Sequence, residues 1–269
     1  MLPPDPLAAA LLESDRAYFE LAAATLPHEG AVIASMVGLE ALAGAVVVQR
    51  VEEHAVSDPT AWVRDLDDRL RAEGAVMARV YLGPRPPGPA PLPAALAAAG
   101  HRRRVEIGYL APAATAAGSD GVTLRRVDDE AGWEEKHKLH AGSEVASDGH
   151  VSPAGDWVEL ERRKCATGGM EAFLIESRGE VCGAVGTLTM ADQGLLRAKN
   201  VFVRPESRRR GIASATIRAL CARARSQGLD AVGIFGVEGN PGNAVYMSLA
   251  MTPTVRQMEW SLPLDPGRR

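Results

Sequence analysis

Two pairs of stretches repeat the same order of features in the two halves of the chain. "RLRAEGAVMARVYL" (69–82) and "RARSQGLDAVGIFG" (223–236) each resemble the end of a helix, a glycine and an apolar strand. "LAAAGHRRRVEIGYL" (96–110) and "SLAMTPTVRQMEWSL" (248–262) each resemble the end of a helix followed by an alternating strand. Because both the order and the spacing agree, we infer a diverged internal duplication. It predicts two related domains in which strands alternate with helices.

Local patterns predict the elements of both halves. Helices are predicted over 5–26, 58–74, 94–100, 128–144, 211–228 and 243–250. Strands are predicted over 75–82, 102–110, 122–127, 171–177, 180–190, 194–203, 230–236 and 255–262, with two more within 31–51. Asp58 and Pro59 are typical of a helix start. The small polar stretch 113–121 is the predicted linker between a domain over 1–112 and a domain over 122–269.

The bulk composition limits the classes of partner. The 269 residues are 46% hydrophobic and 24% charged, as in a globular protein. The net charge of -4 argues against a general nucleic-acid binder. The three cysteines form no CxxC pair, which favours reduced thiols, and the N-terminus resembles neither a signal peptide nor a membrane span. We therefore expect a cytoplasmic monomer or homodimer that binds no nucleic acid and no membrane.

The segment "RPESRRRGIASA" (204–215) places three arginines just before what resembles a helix. Cations are disfavoured there, because the N-terminal end of a helix carries a partial positive charge. The first N–H groups of a helix have no intrahelical partner, so a helix start binds anions. Gly211 lets a ligand approach the backbone closely, and guanidinium groups pair with phosphate oxygens. The segment predicts a phosphate site, with a solvated basic helix start as the alternative.

Two other phosphate-binding classes fit this segment poorly. A P-loop needs Gly-Lys-Ser/Thr, and "RRRGIAS" has no lysine. A dinucleotide fold needs G-x-G-x-x-G after its first strand, which residues 208–213 do not supply. A nucleotide hydrolase is therefore disfavoured.

The stretch 201–220, "VFVRPESRRRGIASATIRAL", resembles the signature of the GNAT superfamily of acyl-CoA-dependent N-acetyltransferases. That signature is a strand ending V-x-P, a loop, and R/Q-x-x-G-x-G/A at the start of a helix. The resemblance covers about residues 122–262. It implies an α/β (α+β) fold in which a mixed, mostly antiparallel sheet is flanked by helices. The matching residues are Val203, Pro205, Arg208, Gly211 and Ala213.

A later segment, "GNPGNAVYMSLAM" (239–251), resembles the family's N-P-x-S-N-x-x-Y-x-x-L-G-F. It is one residue short before Asn243, and it has Ala250 and Met251 in place of the usual glycine and aromatic residue. The matching residues are Asn240, Pro241, Asn243, Tyr246 and Leu249.

The resemblance implies that acetyl-CoA is the cosubstrate, with its pyrophosphate on the backbone amides of the loop. Backbone N–H groups of Val201 or Phe202 would polarise the thioester carbonyl, because this strand splays from its neighbour in the family. Tyr246 would protonate the departing thiolate. The full set of implied cofactor contacts is Val201, Phe202, Val203, Arg208, Arg209, Arg210, Gly211, Ile212, Ala213, Asn240 and Asn243.

The general base is less defined. Many relatives carry a carboxylate on the strand before the loop, but the strand over 195–203 contains no acid. Either a chain of waters removes the proton, or an acid from elsewhere in the chain reaches in. Glu238 is the first candidate, and Glu144 and Asp148 are the others.

Glu144 and Asp148 lie on the segment that usually lines the acceptor pocket, and Trp157 is a further candidate substrate-binding residue. His137 and His140 share helical spacing with Glu144, but two histidines without a third firm ligand rarely bind a metal. We therefore expect no metal ion.

The first half lacks the phosphate-binding motif. Its corresponding loop, "QRVEEHAVSDPTAW" (49–62), has no R-x-x-G-x-A, and Glu52 and Glu53 would repel phosphates. We interpret this half as a degenerate, partial GNAT-like repeat without catalytic function, so one CoA should bind per chain.

These observations predict an enzyme that moves an acetyl group from acetyl-CoA directly to an amine. The acceptor would be a small-molecule amine or a protein amine. The alternative is a non-catalytic acyl-CoA-binding sensor or interaction module. The missing strand carboxylate favours that alternative, whereas Tyr246 favours catalysis.

Overall fold

The computed structural model describes residues 5–84, 88–115, 121–141, 145–147, 150–152 and 154–264. In the first half the helices and strands are α1 (Pro6–Glu20), β1 (Ala24–His28), β2 (Ala31–Ser35), β3 (Val46–Gln49), α2 (Pro59–Ala72), β4 (Met77–Leu82), α3 (Pro91–Ala98) and β5 (Arg102–Pro112). In the second half they are β6 (Thr123–Arg126), α4 (Glu130–His140), β7 (Val145–Ser147), β8 (His150–Ser152), α5 (Ala154–Ala166), β9 (Glu171–Ser177), β10 (Glu180–Met190), β11 (Leu195–Val203), α6 (Ile212–Ser226), β12 (Ala231–Val237), α7 (Gly242–Ser248) and β13 (Thr252–Pro263).

Several helix limits follow from local chemistry. The carboxylate of Asp58 caps α2 by accepting hydrogen bonds from the backbone N–H groups of Thr60 and Ala61, at 3.0 and 3.1 Å, as predicted. The predicted helix over 5–26 was too long: α1 ends at Glu20, the chain turns at Ala22 with φ 58°, and β1 follows. The helix predicted over 128–144 ends at His140. The sequence patterns missed α5 and the β7–β8 hairpin.

The chain forms two compact units, each assembled from separate segments. Unit 1 takes the described residues within Met1–Tyr18, Ile107–Ala141 and Glu161–Val255. Unit 2 takes those within Phe19–Glu106, Gly142–Leu160 and Arg256–Arg269.

Unit 1 is built on a mixed, mostly antiparallel sheet. Its strands lie in the order β5, β12, β11, β10, β9, β6. The β11–β10, β10–β9 and β9–β6 pairs are antiparallel, whereas β11 and β12 are parallel. A parallel pair requires a crossover connection, and α6 provides it.

Two helices cover opposite faces of this sheet, because successive residues of a strand alternate between faces. On one face Leu11 of α1 packs in a cluster with Leu195 and Ala231. On the other face Leu196 and Val232 pack with the buried residues of α6, which include Ile217, Leu220, Cys221 and Ala224.

Unit 2 contains the strand order β1, β2, β3, β4, β13. The β1–β2, β2–β3 and β4–β13 pairs are antiparallel, and β3 pairs with β4 in parallel at Val48↔Val80. One stripe of α2 (Trp62, Leu66 and Leu70) is buried against these strands in a common apolar cluster.

The same order of elements occurs twice, as the sequence repeats predict: β2-β3-α2-β4-α3-β5 and β10-β11-α6-β12-α7-β13. The last strand of each repeat, β5 or β13, is divided between the two units. Ile107–Pro112 of β5 belong to unit 1, and Arg256–Pro263 of β13 belong to unit 2. The units therefore cut across the predicted limits 1–112 and 122–269, and residues 116–120 of the predicted linker lie outside the described residues.

No helix in the described part of the chain combines the length and the apolar character that crossing a bilayer requires.

Candidate functional site

The loop between β11 and α6 connects the end of a strand to the start of a helix in unit 1. A short 3-10 turn over Pro205–Ser207 follows β11. Arg209 then adopts φ 60° and Gly211 φ 77°, both in the left-handed region. That region is costly for side chains with a Cβ and free for glycine, so Gly211 is the residue that lets α6 begin here.

The N-terminus of α6 presents open backbone donors. The first intrahelical bond runs from Ala215 N–H to the carbonyl oxygen of Gly211 at 2.9 Å. In the described part of the chain no side chain caps this end, so helix geometry leaves the N–H groups of Ile212 and Ala213 without an intrahelical partner. A Cβ built on Gly211 would meet no atom within 4 Å. The space above these amides can therefore hold an anion.

The three arginines are not equivalent. Arg208 Nε donates a hydrogen bond to the carbonyl oxygen of Val203 at 3.0 Å, which ties the loop to the end of β11. Arg209 and Arg210 extend into solvent. The predicted cation cluster thus lies beside the open amides, and all three of its arginines are exposed.

The neighbouring strands separate just before this loop. The parallel ladder between β11 and β12 runs from Leu195↔Ala231 to Arg197↔Gly233 and ends there. Val201, Phe202 and Val203 lie beyond that end and are half-buried. On the β10 side the register shifts, so that two β11 residues, Asn200 and Val201, stand opposite Val185. This is a β-bulge, and Asn200 within it has φ 53°.

Helix α7 brings Tyr246 and Asn243 against β12 on the far side of this gap. A Cβ built on Gly236 would lie 2.1 Å from Asn243 Oδ1 and 3.1 Å from Tyr246 Cε2, so only glycine permits this approach. Asn243 Nδ2 donates to the carbonyl oxygen of Val237 at 2.7 Å. The ring of Tyr109 packs on Tyr246, with 5.3 Å between ring centroids.

Burial raises the pKa of Tyr246 above its ordinary value, and the positive charge of Arg197 partly offsets the effect. The phenol is therefore protonated at neutral pH and can act as a proton donor. Asn240 has a different position: it is exposed, and its Oδ1 accepts a hydrogen bond from Gly242 N–H at 2.8 Å, which shapes the turn before α7.

A family model described as the acetyltransferase (GNAT) family matches residues 141–247, which include β11, the loop, α6 and Tyr246. Residues 141–247 are a GNAT acetyltransferase domain. The family uses acetyl-CoA, and the match supports acyl-CoA-dependent acetyl transfer in general.

Solved structures with the same fold extend over nearly the whole chain. A GCN5-related N-acetyltransferase from Kribbella flavida is 16% identical, with a TM-score of 0.65 and 96% of each chain covered. A conserved protein of unknown function from Staphylococcus epidermidis is 9% identical, with a TM-score of 0.65 over 91% of this chain and 96% of its own. A tandem GNAT protein from the clavulanic acid biosynthesis pathway is 17% identical, with a TM-score of 0.53 over 88% of this chain and 79% of its own. No curated protein matches the sequence.

The residues predicted as general base or as acceptor contacts differ in placement. Glu238 is exposed just after β12. Glu144 and Asp148 lie outside the described residues. Trp157 packs in an apolar cluster of unit 2, where a Cβ built on Gly44 would lie 2.6 Å from its ring. Their roles as base or acceptor contacts stay predictions.

Sequence reasoning missed a buried acid beside β11. Glu161 of α5 is only 4% exposed. One of its carboxylate oxygens accepts a hydrogen bond from Asn200 Nδ2 at 2.8 Å, and the other pairs with Lys136 Nζ of α4 at 2.7 Å. Burial alone would raise the pKa of Glu161, but the Lys136 ammonium and the bond from Asn200 hold it below its usual value. The carboxylate is therefore ionised. Glu161 lies in no recognisable motif, so only a prediction of helix α5 could have pointed to it.

His140 also contacts the strand. Its ring packs against Phe202, with 4.6 Å between ring centroids. Burial, helped by the charge of Lys136, lowers the pKa of His140 to about 4. The imidazole is therefore neutral at physiological pH. Within the ranges that the structure describes, no group of three or more His, Cys, Asp or Glu side chains is placed to hold a metal ion.

Proposed function

We propose that the protein transfers an acetyl group from acetyl-CoA to an amine by direct attack. One observation supports this most: the open N-terminus of α6 follows, after one short loop, a strand that has separated from its neighbour. Acetyl-CoA carries its thioester at the end of a long pantetheine arm that starts from the pyrophosphate. The loop suits the phosphates, and the gap between β11 and β12 suits the arm that carries the thioester.

The residues of the loop fit the pyrophosphate. Gly211 keeps the space above the amides open, and the N–H groups of Ile212 and Ala213 would donate to phosphate oxygens. Arg209 and Arg210 are free to swing onto the same oxygens, because both are exposed. Repulsion between the three arginines and the helix dipole would then be replaced by attraction to the ligand.

Acetyl-CoA supplies the acetyl group as an activated thioester. Its transfer needs a hydrogen-bond donor at the carbonyl oxygen and a proton donor at the sulfur. The amine nitrogen attacks the carbonyl carbon and forms the C–N bond. Backbone N–H groups of Val201 or Phe202 would donate to the carbonyl oxygen as negative charge develops on it. The C–S bond then breaks, and Tyr246 would give its phenolic proton to the departing sulfur.

The attacking amine must also lose a proton. Glu238 is our first candidate to accept it, through solvent, because its carboxylate is exposed at the end of β12. His140 is the second, because it contacts Phe202 and is neutral. We expect a small-molecule amine or a protein amine as acceptor, and neither nucleic acid nor membrane as partner, for a chain with a net charge of -4.

The main alternative is a non-catalytic acyl-CoA sensor or interaction module. The absence of an acid on β11 favours it, since the sequence of that strand contains none. A sensor would need the phosphate loop but not a proton donor at Tyr246.

Thiol release from acetyl-CoA across a panel of amines separates the two functions. The panel should include amino acids, polyamines, aminoglycosides and peptides with a free N-terminus, with the acetylated amine identified by mass spectrometry. An enzyme gives CoA and acetylated amine in equal amounts. Saturable binding of acetyl-CoA without product from any amine would favour the sensor.

A further inference from the structure

The bulge in β11 is open to solvent, but buried side chains contact its Asn200. Asn200 is exposed and has a left-handed backbone, which costs most residues about 1–2 kcal/mol. Asparagine adopts this conformation more readily than most residues, so the contacts of its side chain decide how firmly it is held. Val201 follows directly, so the orientation of its peptide group depends on the dihedral angles of Asn200.

Two elements distant in sequence hold the Asn200 side chain. Its Nδ2 donates to Glu161 Oε1 of α5 at 2.8 Å and lies 3.3 Å from Tyr18 Oη of α1. Both partners are buried, with Glu161 4% and Tyr18 4% exposed. A hydrogen bond to an ionised acceptor is stronger than one between neutral groups. Glu161 is therefore the principal anchor.

Lys136 keeps this anchor charged. It is 1% exposed and pairs with the second oxygen of Glu161 at 2.7 Å. The carboxylate thus has one oxygen committed to its counter-ion and one to Asn200. Because both oxygens are occupied and Lys136 favours the ionised form, Glu161 is a poor proton acceptor and a good hydrogen-bond acceptor.

We propose that Glu161 is a positioning residue: through Asn200 it fixes the β11 bulge and thereby aims the backbone N–H groups of Val201 and Phe202 at the thioester carbonyl. This inference rests on the proposed function, in which those amides stabilise the developing oxyanion. It assigns a catalytic contribution to α5, whose Glu161 side chain contacts Asn200 of β11.

Two double variants isolate the anchor from the buried ion pair. Lys136→Met/Glu161→Gln removes both charges but keeps an acceptor for Asn200. Lys136→Met/Glu161→Leu removes both charges and the acceptor. We expect kcat of the Leu form to fall about 10²-fold below that of the Gln form, the usual effect of a misplacement of about 1 Å. KM for acetyl-CoA should differ little between them. Equal kcat values in two folded proteins would overturn the proposal.

Asn200→Ala is the second test, in case the Leu form fails to fold. It removes the donor from an exposed position, so folding should persist, and kcat should again fall about 10²-fold. Glu134→Gln is the control, because Glu134 lies on the exposed face of α4, 64% exposed, and should leave kcat unchanged. An Asn200→Ala protein with normal kcat, or with its loss matched by weaker CoA binding, would contradict the assignment.

A spectroscopic measurement separates this inference from the proposed function. Acetyl-CoA labelled with 13C at the carbonyl should show a downfield shift on binding to the wild type, because amide donors polarise the carbonyl, and Asn200→Ala should lose that shift. If the wild type shows the shift, Asn200→Ala loses it and no amine is acetylated, the proposed function fails and the anchor stands. If Asn200→Ala has the turnover of the wild type, the anchor is refuted and the proposed function is not. If the wild type does not bind acetyl-CoA, the anchor and the proposed function are both refuted.

Discussion

Glycines at the two ends of α6 provide a matched test of the phosphate loop. Gly211 precedes the helix with φ 77°, and Gly228 follows it with φ 72°. A Cβ on either residue would meet no atom within 4 Å. Replacing either with valine should therefore cost about the same stability, roughly 1–2 kcal/mol, because only the left-handed backbone is penalised.

Binding should distinguish the two variants. In Gly211→Val the added methyl groups fill the space above the Ile212 and Ala213 amides, so a phosphate would lose about two charge-assisted hydrogen bonds. At about 1.5–3 kcal/mol each, the loss is roughly 3–6 kcal/mol. Kd for CoA should then rise by about 10²–10⁴-fold.

Isothermal titration calorimetry with CoA measures this effect, and thermal denaturation verifies that both variants fold. Gly228→Val lies at the opposite end of the helix and should bind CoA like the wild type. Unchanged affinity in Gly211→Val would refute the phosphate site. An equal loss in both variants would show that the effect is only one of stability.

Further results are expected elsewhere in the chain. Tyr246→Phe should leave CoA affinity nearly unchanged in calorimetry, while kcat and kcat/KM fall together by roughly 10²–10⁴-fold; weaker binding with normal turnover would make the ring a packing residue. Glu259→Gln in unit 2 should cost about 3–5 kcal/mol in urea denaturation, because the fully buried carboxylate pairs with Arg79 at 2.8 Å and that guanidinium would lose its counter-charge. His140 binds protons with a pKa of about 4 in the fold and 6.5 in the unfolded chain, so the wild type should lose stability as the pH falls from about 6.5 to 4, and His140→Gln should show a weaker dependence in pH-dependent melts. Equilibrium titration should give one CoA per chain; two sites of similar affinity would show that the first half also binds it.

The geometry of the loop between β11 and α6 was predictable because it depends on residues that are close in sequence. Gly211 has to adopt a left-handed backbone at the start of α6, and Pro205 ends the preceding strand, so twelve or so consecutive residues carry most of the information. The cap at Asp58 was predictable for the same reason. In both places the sequence pattern and the required backbone geometry coincide.

The anchor of the bulge was not predictable, because it depends on contacts between distant segments. Glu161 reaches Asn200 only when α5 packs beside β11, and neither residue lies in a recognisable motif. Asp15 of α1 likewise contacts Arg197 at 3.1 Å and Lys199 at 2.7 Å, so a helix from the first half of the chain balances cations on β11. The division of β5 and β13 between the two units has the same origin, since neither strand carries a sign of it in its own residues.

A crystal structure of the protein soaked with CoA tests the central claim most directly. The proposed site predicts electron density for one CoA per chain, with the pyrophosphate on the amides of Gly211–Ala213 and the sulfur within hydrogen-bond reach of the Tyr246 hydroxyl. Density with the pyrophosphate on the loop but the sulfur far from Tyr246 would reject the catalytic assignment. CoA bound at another place, with the N-terminus of α6 facing only solvent, would contradict the account.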